Sequence, residues 1–129
     1  MCKLQTLRTN CGTDVLVADI KKACIENIIQ AAFACEKIDA IYLFGSALEL
    51  RCKNTSDIDI AIVSNVTRAK LFNTKSYNDF TSKVYAKDIY QDYDILQFDS
   101  EEKMFSGSAI GNEIKQKGQL IYKRENSYV

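Results

Sequence analysis

The chain has 129 residues, 47% of them hydrophobic and 26% charged, which predicts one domain able to bury one core and excludes a disordered chain outside its ends. Its 17 basic residues balance 17 acidic ones. That balance excludes a global basic field, so nucleic acid is not expected as a direct specific ligand.

Residues 1–12 show no clean period and are expected to form a loose arm. Thr13 is placed to cap a helix beginning at Asp14. Leu16, Ile20, Cys24, Ile28, Ala31 and Cys35 then recur every three or four residues as its core face, with Lys21, Lys22 and Glu26 on the wet side and an end near Lys37. Ile41–Phe44 is a short apolar run with aromatic and branched residues, a buried strand that turns at Gly45-Ser46. Residues 47–51 have room for one or two helical turns, and Lys53–Ser56 reads as a polar loop.

A second strand spans Asp57–Val63, with Ile58, Ile60 and Ile62 on one face and Asp57 and Asp59 on the other. A polar connection follows over 64–75, with a short helical piece near Arg68–Phe72. Ser76 is placed to cap a helix carrying Phe80 and Val84, and Tyr93–Phe98 is a third strand. Asp99 and Glu102 have capping-box spacing ahead of a helical stretch that buries Phe105, Ile110 and Ile114 and that Gly107 and Gly111 can divide. Gly118 suits its end, Leu120–Tyr122 forms a last strand, and a polar tail closes the chain over 125–129. The expected fold class is α+β: a single domain over 1–129, with a mixed sheet of about four strands flanked by helices.

The five cysteines are scattered without a Cys-x-x-Cys pair, and the chain has no histidine. Zinc is therefore not expected, and Ser-His-Asp and Cys-His catalysis are excluded within the chain. The N-terminal stretch is too polar for a signal peptide, and no apolar run approaches the ~20 residues of a membrane span. The expectation is a cytoplasmic protein with reduced thiols and no membrane contact.

Three features carry chemistry. Gly45-Ser46 sits between a strand and a helical turn, where free N–H groups and the Ser46 hydroxyl suit an anion such as a triphosphate; the plainer reading is a turn. Asp57 and Asp59 point to one side of their strand, a hard-oxygen pair suited to Mg²⁺; the plainer reading is a charged strand edge. Asp94 lies in the apolar run Tyr93–Leu96, where a carboxylate is unusual. Asp92 has the same parity and competes with it. No Gly-x-Gly-x-x-Gly or phosphate-loop lysine motif occurs.

Leu43-Phe44-Gly45-Ser46, then ten residues, then Asp57-Ile58-Asp59, with Ser56 before the pair, resembles the signature of the polymerase-β-like nucleotidyltransferases. The spacing is similar to that of their minimal nucleotidyltransferase group, and the resemblance runs roughly over residues 14–124. It implies that Gly45, Ser46 and Ser56 hold the phosphates of an NTP. It implies two Mg²⁺ ions on Asp57, Asp59 and Asp94, attack on the α-phosphate, and pyrophosphate as the leaving group. Many relatives follow Gly-Ser with Ala-Arg-Gly, where this chain has Leu48, Glu49 and Leu50. Arg51 or Lys53 is then expected to supply the lost cation.

Minimal nucleotidyltransferases pair with HEPN-type toxins as antitoxins, and some AMPylate them. The resemblance thus implies AMP transfer from ATP to a hydroxyl of a partner protein, a tyrosine first among them. A homo-oligomer is also compatible. The alternatives are a non-catalytic antitoxin that blocks its partner by contact, and a small-molecule enzyme of the aminoglycoside-modifying kind.

Overall fold

The computed structural model describes residues 2–124. Leu4–Arg8 (β1) and Asp14–Ala18 (β2) pair antiparallel as a two-stranded ribbon, with Leu7 opposite Val15. The turn between them closes through the Thr9 N–H donating to the Thr13 carbonyl at 2.9 Å, with Gly12 at a φ of 85°. This ribbon replaces both the loose arm expected over 1–12 and the helix expected from Asp14. Val15 and Val17 alternate with Leu16, a period of two in branched residues that suits a strand. Leu7 and Val17 are fully buried, whereas Leu16 and Ile20, placed on the helical core face, are 56% and 42% exposed.

After a single 3-10 turn over Asp19–Lys21, the first α-helix is Lys22–Ala32 (α1). Its Cys24, Ile28 and Ala31 are buried as the periodicity requires, and so is Cys35 beyond its end. Lys21 is buried too, against the expectation that it faces water.

The remaining elements are Ile38–Phe44 (β3), Ile58–Ser64 (β4), Arg68–Phe72 (α2), Lys75–Ala86 (α3), Tyr93–Phe98 (β5), Glu101–Phe105 (α4), Ala109–Lys117 (α5) and Gln119–Lys123 (β6). They build a four-stranded sheet in the order β5-β4-β3-β6. β4 and β5 are parallel and the other pairs antiparallel, so the sheet is mixed and the fold α+β. A parallel pair needs a crossover, and α2 and α3 provide it.

One face of the sheet buries Ile41, Leu43, Ile58, Ile60 and Ile62 against α1 and α3. The other buries Ala40, Phe44, Ala61 and Val63 against Met104 of α4 and Ile114 of α5.

Several element ends differ from the sequence reading. Thr74, not Ser76, caps α3 by accepting the Tyr77 N–H, and Ser100, not Asp99, caps α4 by accepting the Lys103 N–H. Asp99 instead pairs with the Lys103 ammonium at 3.3 Å. Met104 takes the buried place expected of Ile110, which is 38% exposed. Gly107 divides α4 from α5, whereas Gly111 lies inside α5, where a Cβ would overlap the Met104 carbonyl. The tail expected over 125–129 lies outside the described residues. Among the described residues no helix is long and apolar enough to cross a membrane.

Candidate active site

Because β3 and β4 are antiparallel and β4 and β5 parallel, the end of β3 and the starts of β4 and β5 meet at one end of the sheet. Asp59 is registered opposite Phe44 on one side and beside Asp94 on the other. Alternation then puts both carboxylates on the face opposite Ile58 and Ile60. Asp57 precedes β4 with the same parity and is exposed, as is Asp94. Asp92 lies before β5 and is exposed, and its carbonyl accepts the Ile58 N–H at 3.1 Å, the bond that opens the β4–β5 pairing.

Gly45 has a φ of 77°, a left-handed conformation, and a Cβ at that position would overlap the Asp59 carboxylate. Glycine is required there on both counts. The turn that follows is a single 3-10 turn, Gly45–Leu48, rather than a longer helix, and no side chain caps it. The Asp59 carboxyl is pushed up to about 6, first by burial and then by the negative fields of Asp94, Asp57 and Glu113. Glu113, carried by α5, was not foreseen in the sequence.

A cleft of about 570 Å³ opens beside these groups, lined by Gly45, Leu48, Glu49, Arg51, the ribbon, and Glu113, Lys117 and Gln119. The three aspartates are not among its walls. Gly45 and Glu113 are where the cleft meets them, one by contact with Asp59 and the other through its field.

The remaining expected residues separate. Arg51 lines the cleft, but its guanidinium donates to the Glu49 carboxylate, so the two charges largely cancel. Lys53 and Ser56 are absent from the cleft and close a turn on each other, the Lys53 N–H donating to the Ser56 hydroxyl at 3.0 Å. Lys117, which sequence reasoning missed, lines the cleft and forms no ion pair among the described residues. Nothing local marks it; only the docking of α5 brings it to the cleft that Gly45 also lines.

Hard carboxylate oxygens gathered at one end of the sheet repel one another, and a divalent cation such as Mg²⁺ would relieve that repulsion. Among the described residues no three carboxylate, thiol or imidazole side chains converge into a ready cage.

The family model described as Polymerase beta, Nucleotidyltransferase matches residues 26–127. No curated protein matches the chain. Among solved structures, a toxin–antitoxin complex with AMP-PNP is similar at a TM-score of 0.53 and 21% identity, over 78% of this chain and 74% of that one. A mutant of the toxin–antitoxin MntA-HpeT with two aspartate-to-glutamate changes is similar at 0.51 and 19%, over 78% and 74%. A structure of tri-AMPylated Shewanella oneidensis HEPN toxin in complex with MNT antitoxin is similar at 0.49 and 21%, over 81% and 73%.

Proposed function

The chain belongs to the polymerase-β nucleotidyltransferase family, and from that premise we propose that it transfers AMP from ATP to a hydroxyl of a partner protein, as the antitoxin of a toxin–antitoxin pair. The observation that carries the chemistry is the register that sets Asp59 beside Asp94 and against Gly45. The likeness to the toxin–antitoxin complex with AMP-PNP directs the proposal to an adenine nucleotide and a protein partner. Asp57 and Asp94 are exposed at that end of the sheet, which leaves room for a macromolecular acceptor. We place the reaction in the cytoplasm, where the five unpaired cysteines stay reduced.

In this reading the phosphates approach the bare backbone at Gly45, and Ser46 adds a hydroxyl donor. Lys117 attracts the leaving pyrophosphate from the cleft. Asp57, Asp59 and Asp94 would hold Mg²⁺ jointly with the phosphate oxygens, and the ions would draw off phosphate charge and align the attacking and leaving oxygens. The acceptor oxygen attacks the α-phosphorus and the bond to pyrophosphate breaks. Asp94 takes the hydroxyl proton.

A contact-only antitoxin is the second reading, favoured by the Glu49–Arg51 pair, which leaves the cleft short of free positive charge. Incubation with α-labelled ATP, Mg²⁺ and the co-purifying partner separates the two. Label on the partner that disappears with Asp59→Asn supports transfer. An unlabelled partner that still binds the wild-type chain leaves contact alone.

A further inference from the structure

Lys21 is 2% exposed, and neither of its hydrogen-bond partners is an anion. Its ammonium donates to the Asn54 carbonyl at 3.0 Å and to Gln91 Oε1 at 2.6 Å. Gln91, 6% exposed, turns its Nε2 to the Ser56 carbonyl at 3.1 Å and to the Asp92 carbonyl at 2.6 Å. The Asp92 carbonyl also accepts the Ile58 N–H at 3.1 Å, the link that starts the parallel pairing of β4 with β5.

One buried cation therefore ties together three segments: the turn after the ribbon, the loop that delivers Asp57, and the entry to the strand that carries Asp94. A buried ammonium without a counter-ion is an expensive way to fill space, and methionine would bury a similar stem at lower cost. What methionine cannot do is hold the Asn54 carbonyl and, through Gln91, orient the carbonyls of Ser56 and Asp92. The Ser56 carbonyl belongs to the peptide bond that leads into Asp57. Three carboxylates gathered at neighbouring strand starts repel one another, so the strand ends need a tether that is not itself an acid. Lys21 also precedes residue 26, where the family match begins. The tether is thus built by the segment that carries the ribbon.

We propose that Lys21 and Gln91 are positioning residues, a buried clamp that holds the strand starts bearing Asp57, Asp59 and Asp94 in the register that nucleotidyl transfer requires. The kinetic consequence rests on the transferase reading above; the geometric consequence does not. Gln91→Glu is the discriminating variant. It keeps an acceptor for Lys21, now as an ion pair, but loses both Nε2 donations and sets a carboxylate against two carbonyls. Lys21→Met removes the clamp at its root.

The test uses the full chain, with amide hydrogen exchange at Ile58, thermal melting, and kcat and KM for ATP in the labelling reaction. Gln91→Glu is expected to melt near the wild type, to exchange the Ile58 amide about tenfold faster, and to lower kcat about tenfold or more with a much smaller change in KM. Lys21→Met is expected to move the same quantities in the same direction wherever it folds. A Gln91→Glu protein with unchanged Ile58 exchange and unchanged kcat overturns the clamp, whatever Lys21→Met does. If the wild-type chain transfers no label at all, the transferase reading falls, and the Ile58 exchange rate alone then upholds or overturns the clamp.

Discussion

Asp59 lies against Gly45 on one side and beside Asp94 on the other, with its carboxyl pushed up to about 6 by burial and three neighbouring acids. The folded chain therefore holds that proton more tightly than the unfolded chain, whose carboxyl titrates near 3.8. Stability is lost as pH rises from about 4 through about 6, because the unfolded state releases the proton first. The ion-free protein is expected to be more stable at pH 5 than at pH 7 by on the order of 1 kcal/mol, discounted for solvent screening. Thermal melts across that range check this, and Asp59→Asn should flatten the profile; an identical profile in the variant would refute it. Lys117 is the second residue with a distinct expectation, since Arg51 is held by Glu49 and Lys117 has no acid on it among the described residues. Lys117→Ala is expected to weaken Mg-ATP binding about five- to tenfold, and Arg51→Ala no more than about twofold, by calorimetry. The opposite order would return the phosphate role to Arg51. Gly45, Asp57 and Asp59 were legible as a motif in the chain, because turn chemistry and alternation are local, whereas Asp94 and Asp92 competed until the register of β5 on β4 set Asp94 beside Asp59. Glu113 and Lys117 were not legible, because nothing within a few residues of either indicates the cleft.

The ribbon β1–β2 is the element the sequence concealed. Two periods overlap at its second strand: Leu16, with Ile20 and Cys24 beyond it, fits a helix, while Val15 and Val17 fit a strand. Pairing with β1 decides between them, because it satisfies the backbone and buries Leu7 in the main core. Leu7→Ala is therefore expected to destabilise the fold by about 3 kcal/mol, as for other fully buried leucines. Chemical denaturation reads this directly, and a silent substitution would restore the loose arm. The helices over 68–72 and 75–86 and the strand over 93–98 lie where the pattern put them or within two residues. The caps of the helices over 75–86 and 101–105 differ from the expected Ser76 and Asp99 because a cap needs an extended backbone as well as a side-chain acceptor. Thr74 and Ser100 have that conformation, which residue type alone does not reveal.

The whole molecule carries a net charge of +0, so no long-range field concentrates a triphosphate on it. Nucleotide binding must depend on local groups, and the gathered carboxylates oppose an unaccompanied anion. Neither ATP alone nor Mg²⁺ alone is expected to raise the melting temperature, whereas the two together should. With Mg-ATP at a hundredfold over its Kd the gain is about 2.7 kcal/mol. Equal stabilisation by ATP without a divalent ion would show that the aspartates do not bridge to the phosphates.

The order of strands and helices beyond residue 37, the turn at Gly45 and the shared face of Asp57 and Asp59 are consequences of residue periods and turn preferences, which act over a few positions. Other features depend on partners far along the chain. Asp94 stands beside Asp59 because two strands joined by a helical crossover settle in one register, and a slip of two residues would have put Asp92 there. Lys21 is buried because its acceptors arrive from 33 and 70 residues away. A lone ammonium has no affinity for the interior until those oxygens are in place. Sequence period cannot encode such a meeting; only the packed sheet, with its helices on both faces, brings it about.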